Sequence, residues 1–271
     1  MNYKKLLEAA THAAVLAGKE IMSQYHNGFD VITKPDNSPV TTADLAAHDI
    51  ILKELESTQI AVLSEEGEKF SHEFRQNTPY WCVDPIDGTR DFVNKTDEFC
   101  ISIGLVVDNT SKVGVLYAPA MDLYYFAAEG MGSFKYEKDR ISLEKLIDSD
   151  DFFQLLQENS QKLPQHPLPE FPTALNSRFH RDEKTEDYLN QLKTQNPNWQ
   201  FIVMGSAIKL GIIAEGKATE YTRFMGVNFW DIAGGHAIAK YAGLAVMQID
   251  KEKEINYSDQ NMRVAGYCLQ W

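Results

Sequence analysis

The chain has 271 residues, 44% hydrophobic, 24% charged and 11% aromatic, enough for a full core and unlike a disordered protein. Its formal net charge of −13, from 26 basic and 39 acidic residues, argues against a nucleic acid polymer as partner, because such binding rests on a basic footprint. No apolar run reaches the roughly 18 residues of a membrane span, and Met1 to Tyr25 is amphipathic rather than a signal peptide, so the expected location is cytoplasmic.

Leu6, Ala10, Ala13, Ala14, Ala17, Ile21 and Tyr25 recur at helical spacing and predict a first amphipathic helix. Lys34-Pro35-Asp36-Asn37-Ser38-Pro39 is a turn-rich loop. A second helix follows with Leu45, His48, Leu52 and Leu55 on one face, and Thr41, Thr42 and Asp44 at its start. Residues 60–63 read as a short strand ending at Ser64-Glu65-Glu66, and residues 80–83 as a buried strand that ends at Asp84. Three strand-like runs, 99–107, 113–118 and 123–128, suggest an antiparallel meander. The stretch 139–172 is weaker in pattern and is expected to be an inter-lobe segment and the least ordered part. Beyond it, strands at 173–176, 201–204, 218–221 and 244–249 alternate with helices at 182–192, 206–215 and 231–241, the last stopped by Gly243. The expected organisation is an N-terminal lobe over 1–138, the segment 139–172, and a C-terminal α/β lobe over 173–271.

The chemistry concentrates in Asp84-Pro85-Ile86-Asp87-Gly88-Thr89. Two acids in a proline-fixed turn, with a backbone carbonyl between them, offer the oxygen ligands that Mg²⁺ requires. Asp44, Glu65 and Asp231 also stand at element ends. Each alone reads as a helix cap, and for Asp44 or Asp231 singly that is the better reading. Five carboxylates near one point would repel one another unless divalent cations neutralise them. Two or three Mg²⁺ ions would balance these acids and a phosphate. Gly88 and Thr89 open a turn whose N–H groups suit phosphate oxygens, and the Thr89 hydroxyl can relay a proton from attacking water towards Asp44. Cys82, Cys100 and Cys268 are far apart, and the first two read as buried, inert thiols. His12, His26, His48, His72 and His166 read as ordinary surface or core residues, whereas His180 and His236 lie nearer the site segments.

Together, Asp84-Pro85-Ile86-Asp87-Gly88-Thr89, Ser64-Glu65-Glu66 and Trp230-Asp231-Ile232-Ala233-Gly234-Gly235 resemble the Mg²⁺-dependent, Li⁺-sensitive inositol monophosphatase-like superfamily. The resemblance implies metal ligation by Glu65, Asp84, the Ile86 carbonyl, Asp87 and Asp231. It also implies a catalytic role for Glu65, and it makes Asp44 and Thr89 the pair that orients the water. Within the superfamily the chain looks most like bacterial 3′(2′),5′-bisphosphate nucleotidases. That finer resemblance rests on the segment 34–44, on Arg90, on Gly205-Ser206-Ala207-Ile208-Lys209, and on Ser177-Arg178-Phe179-His180. It implies that His180, Ser206, Lys209 and Arg223 bind the substrate. Lys209 and Arg223 otherwise read as a solvated helix residue and an ordinary surface charge.

The resulting expectation is a five-layer αβαβα sandwich with the site between the lobes. Its activity would be Mg²⁺-dependent hydrolysis of adenosine 3′,5′-bisphosphate (PAP) to AMP, with the sulfated relative PAPS as a second substrate. An inositol or sugar monophosphatase is the first alternative, and a non-catalytic nucleotide-binding regulator the second. The expected partner is a small phosphorylated nucleotide, the chain a monomer or homodimer, with peripheral attachment to the inner membrane left open.

Overall fold

The structure, a computed structural model, describes residues 1–35, 37–136, 143–147, 149, 151–165, 167–249 and 253–271. Asp36 of the predicted loop, His166, and residues 139–142, 148 and 150 of the predicted inter-lobe segment lie outside these.

Leu7, Ala10, Ala13, Ala14, Ala17 and Ile21 form the buried stripe of the first helix, Tyr3–Asn27, which packs on the second, Thr42–Glu56. The buried side of the second helix is Ala43, Ala47, Ile51 and Leu55. The predicted stripe is therefore corrected: Leu45 and Leu52 are 40% and 36% exposed. Facing alanines let two helix axes approach closely, so the bulkier leucines turn outward.

Both helices cover one face of a seven-stranded sheet. Its order is Ala61–Ser64, Tyr80–Asp87, Cys100–Val107, Thr110–Ala118, Leu123–Ala128, Gly132–Tyr136 and Ser160–Lys162. The first pair is parallel and the rest antiparallel, with the predicted meander in the middle. Ser160–Lys162 at the edge, and the helix Phe152–Glu158 before it, come from the 139–172 stretch.

Two central helices, Ile208–Ala214 and Phe229–Ala242, pack on the other face. The second sits close because the strands beneath carry glycine. A Cβ on Gly104 would come within 2.6 Å of Ala233 Cβ, and one on Gly114 within 2.2 Å of the Gly234 carbonyl. Ser102 and Ser111 hydroxyls donate to the Trp230 and Ala233 carbonyls at 3.1 and 2.7 Å and fix the helix in place.

Beyond these helices lies a five-stranded sheet, ordered Gln200–Met204, Thr173–Ser177, Glu220–Arg223, Tyr267–Gln270 and Val246–Gln248. The first three strands are parallel; Tyr267–Gln270, absent from the sequence expectations, runs antiparallel to both neighbours. Adjacent residues of a strand point to opposite faces. Glu220 accepts from Tyr188 of the outer helix Glu183–Gln195, while the Tyr221 ring lies under Lys209 of the central layer. Helices, sheet, helices, sheet and helix thus make the expected five layers, with apolar cores filling both sides of the larger sheet.

Candidate active site

The parallel strands Ala61–Ser64 and Tyr80–Asp87 pair Ser64 with Val83, so Glu65 and Asp84 emerge side by side. The Glu65 N–H donates to the Val83 carbonyl at 3.0 Å. The second strand does not end at Asp84 as predicted. It continues through Pro85, with Asp84 opposite Ser102 and Asp87 opposite Cys100, and the extra residue makes a bulge. Proline, which cannot donate to the ladder, is tolerated at such a bulge. The Ile86 N–H donates to Asp84 Oδ1 at 3.0 Å. Gly88, at φ 94°, then turns the chain into the short helix Thr89–Val93.

Asp231 arrives from the start of the central helix, where its Oδ2 accepts the Asn228 N–H at 3.0 Å. The same turn is anchored by Ser102, the ladder partner of Asp84. Glu65, Asp84 and Asp231 each place a carboxylate oxygen within 4.8 Å of the others. Asp87 faces the same cavity, with its Oδ2 accepting the Ala207 N–H. Burial, then the charges of Glu65, Asp87, Asp231 and Asp44, holds the Asp84 carboxyl well above the usual range. Burial followed by Asp87 and Glu65 pushes Asp231 up to about 8. Clustered hard oxygens that repel one another fit a divalent cation, whose charge would offset both effects.

Asp44 serves two partners with its two oxygens. Oδ2 accepts from the Thr41 N–H at 2.8 Å and the Thr41 hydroxyl at 2.5 Å, capping the second helix. Oδ1 accepts the Thr89 hydroxyl at 3.2 Å. The cap and the contact with the site therefore coexist. Burial pushes the Asp44 carboxyl up to about 6, against the hydrogen bonds from Thr41. Glu65, Asp84, Ile86, Asp87, Gly88, Thr89, Asp231, His180, Ser206, Lys209 and Arg223 all line one cavity of about 250 Å³, with Asp44 behind Thr89.

A model of the inositol monophosphatase family matches residues 2–269. The chain belongs to that family. It is 38% identical over 246 residues to the 3′(2′),5′-bisphosphate nucleotidase CysQ of Shigella flexneri, covering 89% of each chain. The enzyme of that name from Buchnera aphidicola subsp. Acyrthosiphon pisum is 36% identical over 261 residues, 94% of this chain and 89% of the relative. The crystal structure of CysQ from Bacteroides thetaiotaomicron superposes with a TM-score of 0.85 at 35% identity, covering 99% of this chain and 98% of the other. Inositol monophosphatase from Anabaena shares the fold, with a TM-score of 0.69 at 21% identity over 100% of this chain and 92% of that one.

In this member of the inositol monophosphatase family the wall facing the acids is cationic. Lys209 is buried rather than solvated: its Nζ donates to the Met204 carbonyl at 3.1 Å and to the Ser206 carbonyl, 5.6 Å above the Tyr221 ring. Arg223 Nε donates to the Met225 carbonyl at 3.3 Å. Burial opposes its charge, yet Tyr221, Tyr267 and Asp231 hold its guanidinium above the usual range. At the exposed rim, His180 is pushed down to about 4, first by desolvation and then by Arg223, Lys209 and Arg90. The neighbouring cations thus oppose a positive charge on its ring. The Ser206 hydroxyl meets Cys100 Sγ at 3.0 Å. His236 is buried behind the site, its ring 3.1 Å from both the Tyr257 hydroxyl and Glu254. Cys82 and Cys100 are free and buried, as expected.

Several residues in or beside the cavity carry no role in the sequence reading. Lys34 Nζ pairs with Glu65 at 2.9 Å and Glu66 at 2.6 Å, and Ser38 and Pro39 line the cavity. Their signal was the loop motif itself, to which no contact could be attached. Tyr221 and Tyr267 also line it, and Arg223 pairs with Tyr267 across an antiparallel ladder that no local pattern displays. Among the described residues no helix is long and apolar enough to cross a membrane.

Proposed function

We propose that the chain is a 3′(2′),5′-bisphosphate nucleotidase that hydrolyses the 3′-phosphate of adenosine 3′,5′-bisphosphate to AMP and phosphate, with PAPS as a second substrate. The observation that carries this reading is one cavity of two signs. Three acids lie within 4.8 Å of one another on one wall, and Lys209 and Arg223 stand on the other. A monoester needs only the first wall, whereas a bisphosphate has a second anion to hold.

Mg²⁺, as two or three ions, is the proposed cofactor, held by Glu65, Asp84, the Ile86 carbonyl, Asp87 and Asp231. When bound, it supplies charge neutralisation and Lewis acidity at the phosphate. The chain's own groups do the rest. The Thr89 hydroxyl, donating to Asp44, keeps lone pairs free to accept from the attacking water. Asp44, raised to about 6, is suited to take a proton near neutrality. Gly88 and Thr89 N–H groups hold the phosphate being cleaved. Lys209 has three donors, two of them engaged with backbone carbonyls, and the third remains for the other phosphate. Arg223 adds a forked guanidinium. His180 and Ser206, which line the same cavity, are assigned to the ribose.

Phosphate release should be measured from adenosine 3′,5′-bisphosphate and from inositol 1-phosphate, with Mg²⁺, with and without Li⁺. Preferred turnover of the bisphosphate, inhibited by Li⁺, is the expected result. Preference for inositol 1-phosphate would favour the monophosphatase reading. Binding of the bisphosphate without turnover would make the chain a regulator.

A further inference from the structure

Glu98 lies outside the acidic cluster, yet it holds the segment that joins the two walls of the cavity. Its Oε1 accepts Arg178 Nη2 at 2.6 Å, and its Oε2 accepts Arg178 Nε at 3.2 Å and the Gly205 N–H at 2.6 Å. Two residues further on, the Ala207 N–H donates to Asp87 Oδ2. The Met204 and Ser206 carbonyls receive Lys209 Nζ. The turn 204–207 thus touches an acid of one wall and the lysine of the other.

This turn adopts its shape only under constraint. Ser206 has φ 56°, in the left-handed region that is costly without glycine and persists only where the surroundings impose it. Gly205 is pressed against residues 91 and 98. A Cβ there would come within 2.5 Å of Asp91 Oδ2 and 2.9 Å of the Glu98 carbonyl. Asp91 is itself fixed, its Oδ1 accepting the Thr96 hydroxyl at 2.6 Å and lying 3.5 Å from Arg178 Nε. Within this frame the bond from Gly205 to the Glu98 carboxylate is charge-assisted, roughly twice as strong as a neutral one.

We propose that Glu98 is a positioning residue: paired with Arg178, it fixes the Gly205–Ala207 backbone and through it sets both the aim of Asp87 and the place of Lys209. The inference rests on the nucleotidase reading for its substrate readout and on Asp87 as a cation ligand for its binding readout.

Calorimetric titration of Mg²⁺ into the intact wild-type chain, Glu98→Ala and Glu98→Gln tests it without turnover. Glu98→Ala is expected to weaken Mg²⁺ binding by roughly 10–100-fold, the range for groups that orient metal ligands. It should also lower the ratio of kcat/KM for adenosine 3′,5′-bisphosphate over adenosine 3′-monophosphate. Glu98→Gln keeps an oxygen for the Gly205 N–H and should recover most of both. Wild-type Mg²⁺ affinity and an unchanged ratio in Glu98→Ala overturn the proposal, as does glutamine proving as damaging as alanine. If Glu98→Ala does not fold, Arg178→Ala, at a more exposed position, keeps the Gly205 bond but frees the Glu98 carboxylate and is expected to give smaller losses of both kinds; no loss of either there overturns the proposal. A wild type whose Mg²⁺ affinity depends on Glu98 but which turns over neither nucleotide would refute the nucleotidase reading and leave the positioning role standing.

Discussion

Thr89 Oγ1 lies 3.2 Å from Asp44 Oδ1 and 3.1 Å from the Ile86 carbonyl. A hydroxyl has one proton to donate, so it serves one of these acceptors at a time. When it serves Asp44, a path runs from the cavity to a buried carboxylate. Replacing Thr89 by Val keeps the shape and removes the path. Turnover is expected to fall by about 10²–10⁴-fold, the usual range for lost general acid–base catalysis, with KM little changed. Steady-state kinetics of Thr89→Val and Asp44→Asn check this, and near-normal turnover in either refutes the relay.

Asp84 is buried among like charges, and the Ile86 N–H donates to its Oδ1. Asparagine at this position keeps that acceptor and removes a group whose ionised form burial and the neighbouring acids both disfavour. Asp84→Asn should therefore lose turnover to background while the cation-free chain melts higher. Each kcal/mol gained would read as a rise of roughly 2–4 °C for a chain of this size. A lower melting temperature in the presence of a chelator would show that the buried Asp84 carboxyl does not weigh against the cation-free fold.

The same cluster sets a pH dependence. Asp231 is raised to about 8 by burial and its neighbours, whereas an unfolded aspartate titrates near about 3.9. Between these values the folded state binds more protons than the unfolded one, so stability falls as pH rises through that window. Cation-free chain should melt progressively lower from about pH 4 to about pH 8. Added Mg²⁺ should raise the melting temperature more at the alkaline end, where the acids are ionised. Thermal melts with chelator and with Mg²⁺ across this range check both signs; a Mg²⁺ shift that is larger at acid pH contradicts the assignment.

What the sequence made legible follows from where the chemistry is written. Asp84, Ile86, Asp87, Gly88 and Thr89 fall within one run of six residues, so their shared cavity could be expected before any fold was known. The bulge that aims Asp84 and Asp87 could not, because it depends on the register against Ser102 and Cys100. The face of the second helix departs from its hydrophobic pattern because size decides the contact: Ala43 and Ala47 are buried while Leu45 is exposed. Tyr267 and Glu98 were invisible for a further reason. Each acts across a distant pairing, Tyr267 beside Arg223 and Glu98 on Gly205, and such contacts exist only after the sheets and turns assemble.

Lys209 offers the sharpest separation of substrate from stability. Its Nζ satisfies the Met204 and Ser206 carbonyls and faces the cavity. Lys209→Met keeps the stem but leaves those carbonyls unpaired, which should cost about 1–3 kcal/mol of stability. The lost charged hydrogen bond to the second phosphate should cost a further ~1.5–3 kcal/mol of binding, or roughly ten- to hundredfold in kcat/KM. That second loss applies to adenosine 3′,5′-bisphosphate and not to adenosine 3′-monophosphate, which lacks the group. Kinetics with both substrates, at a temperature well below the variant's melting point, separate the terms. Equal losses on both would assign Lys209 to the fold alone and remove it from the substrate site.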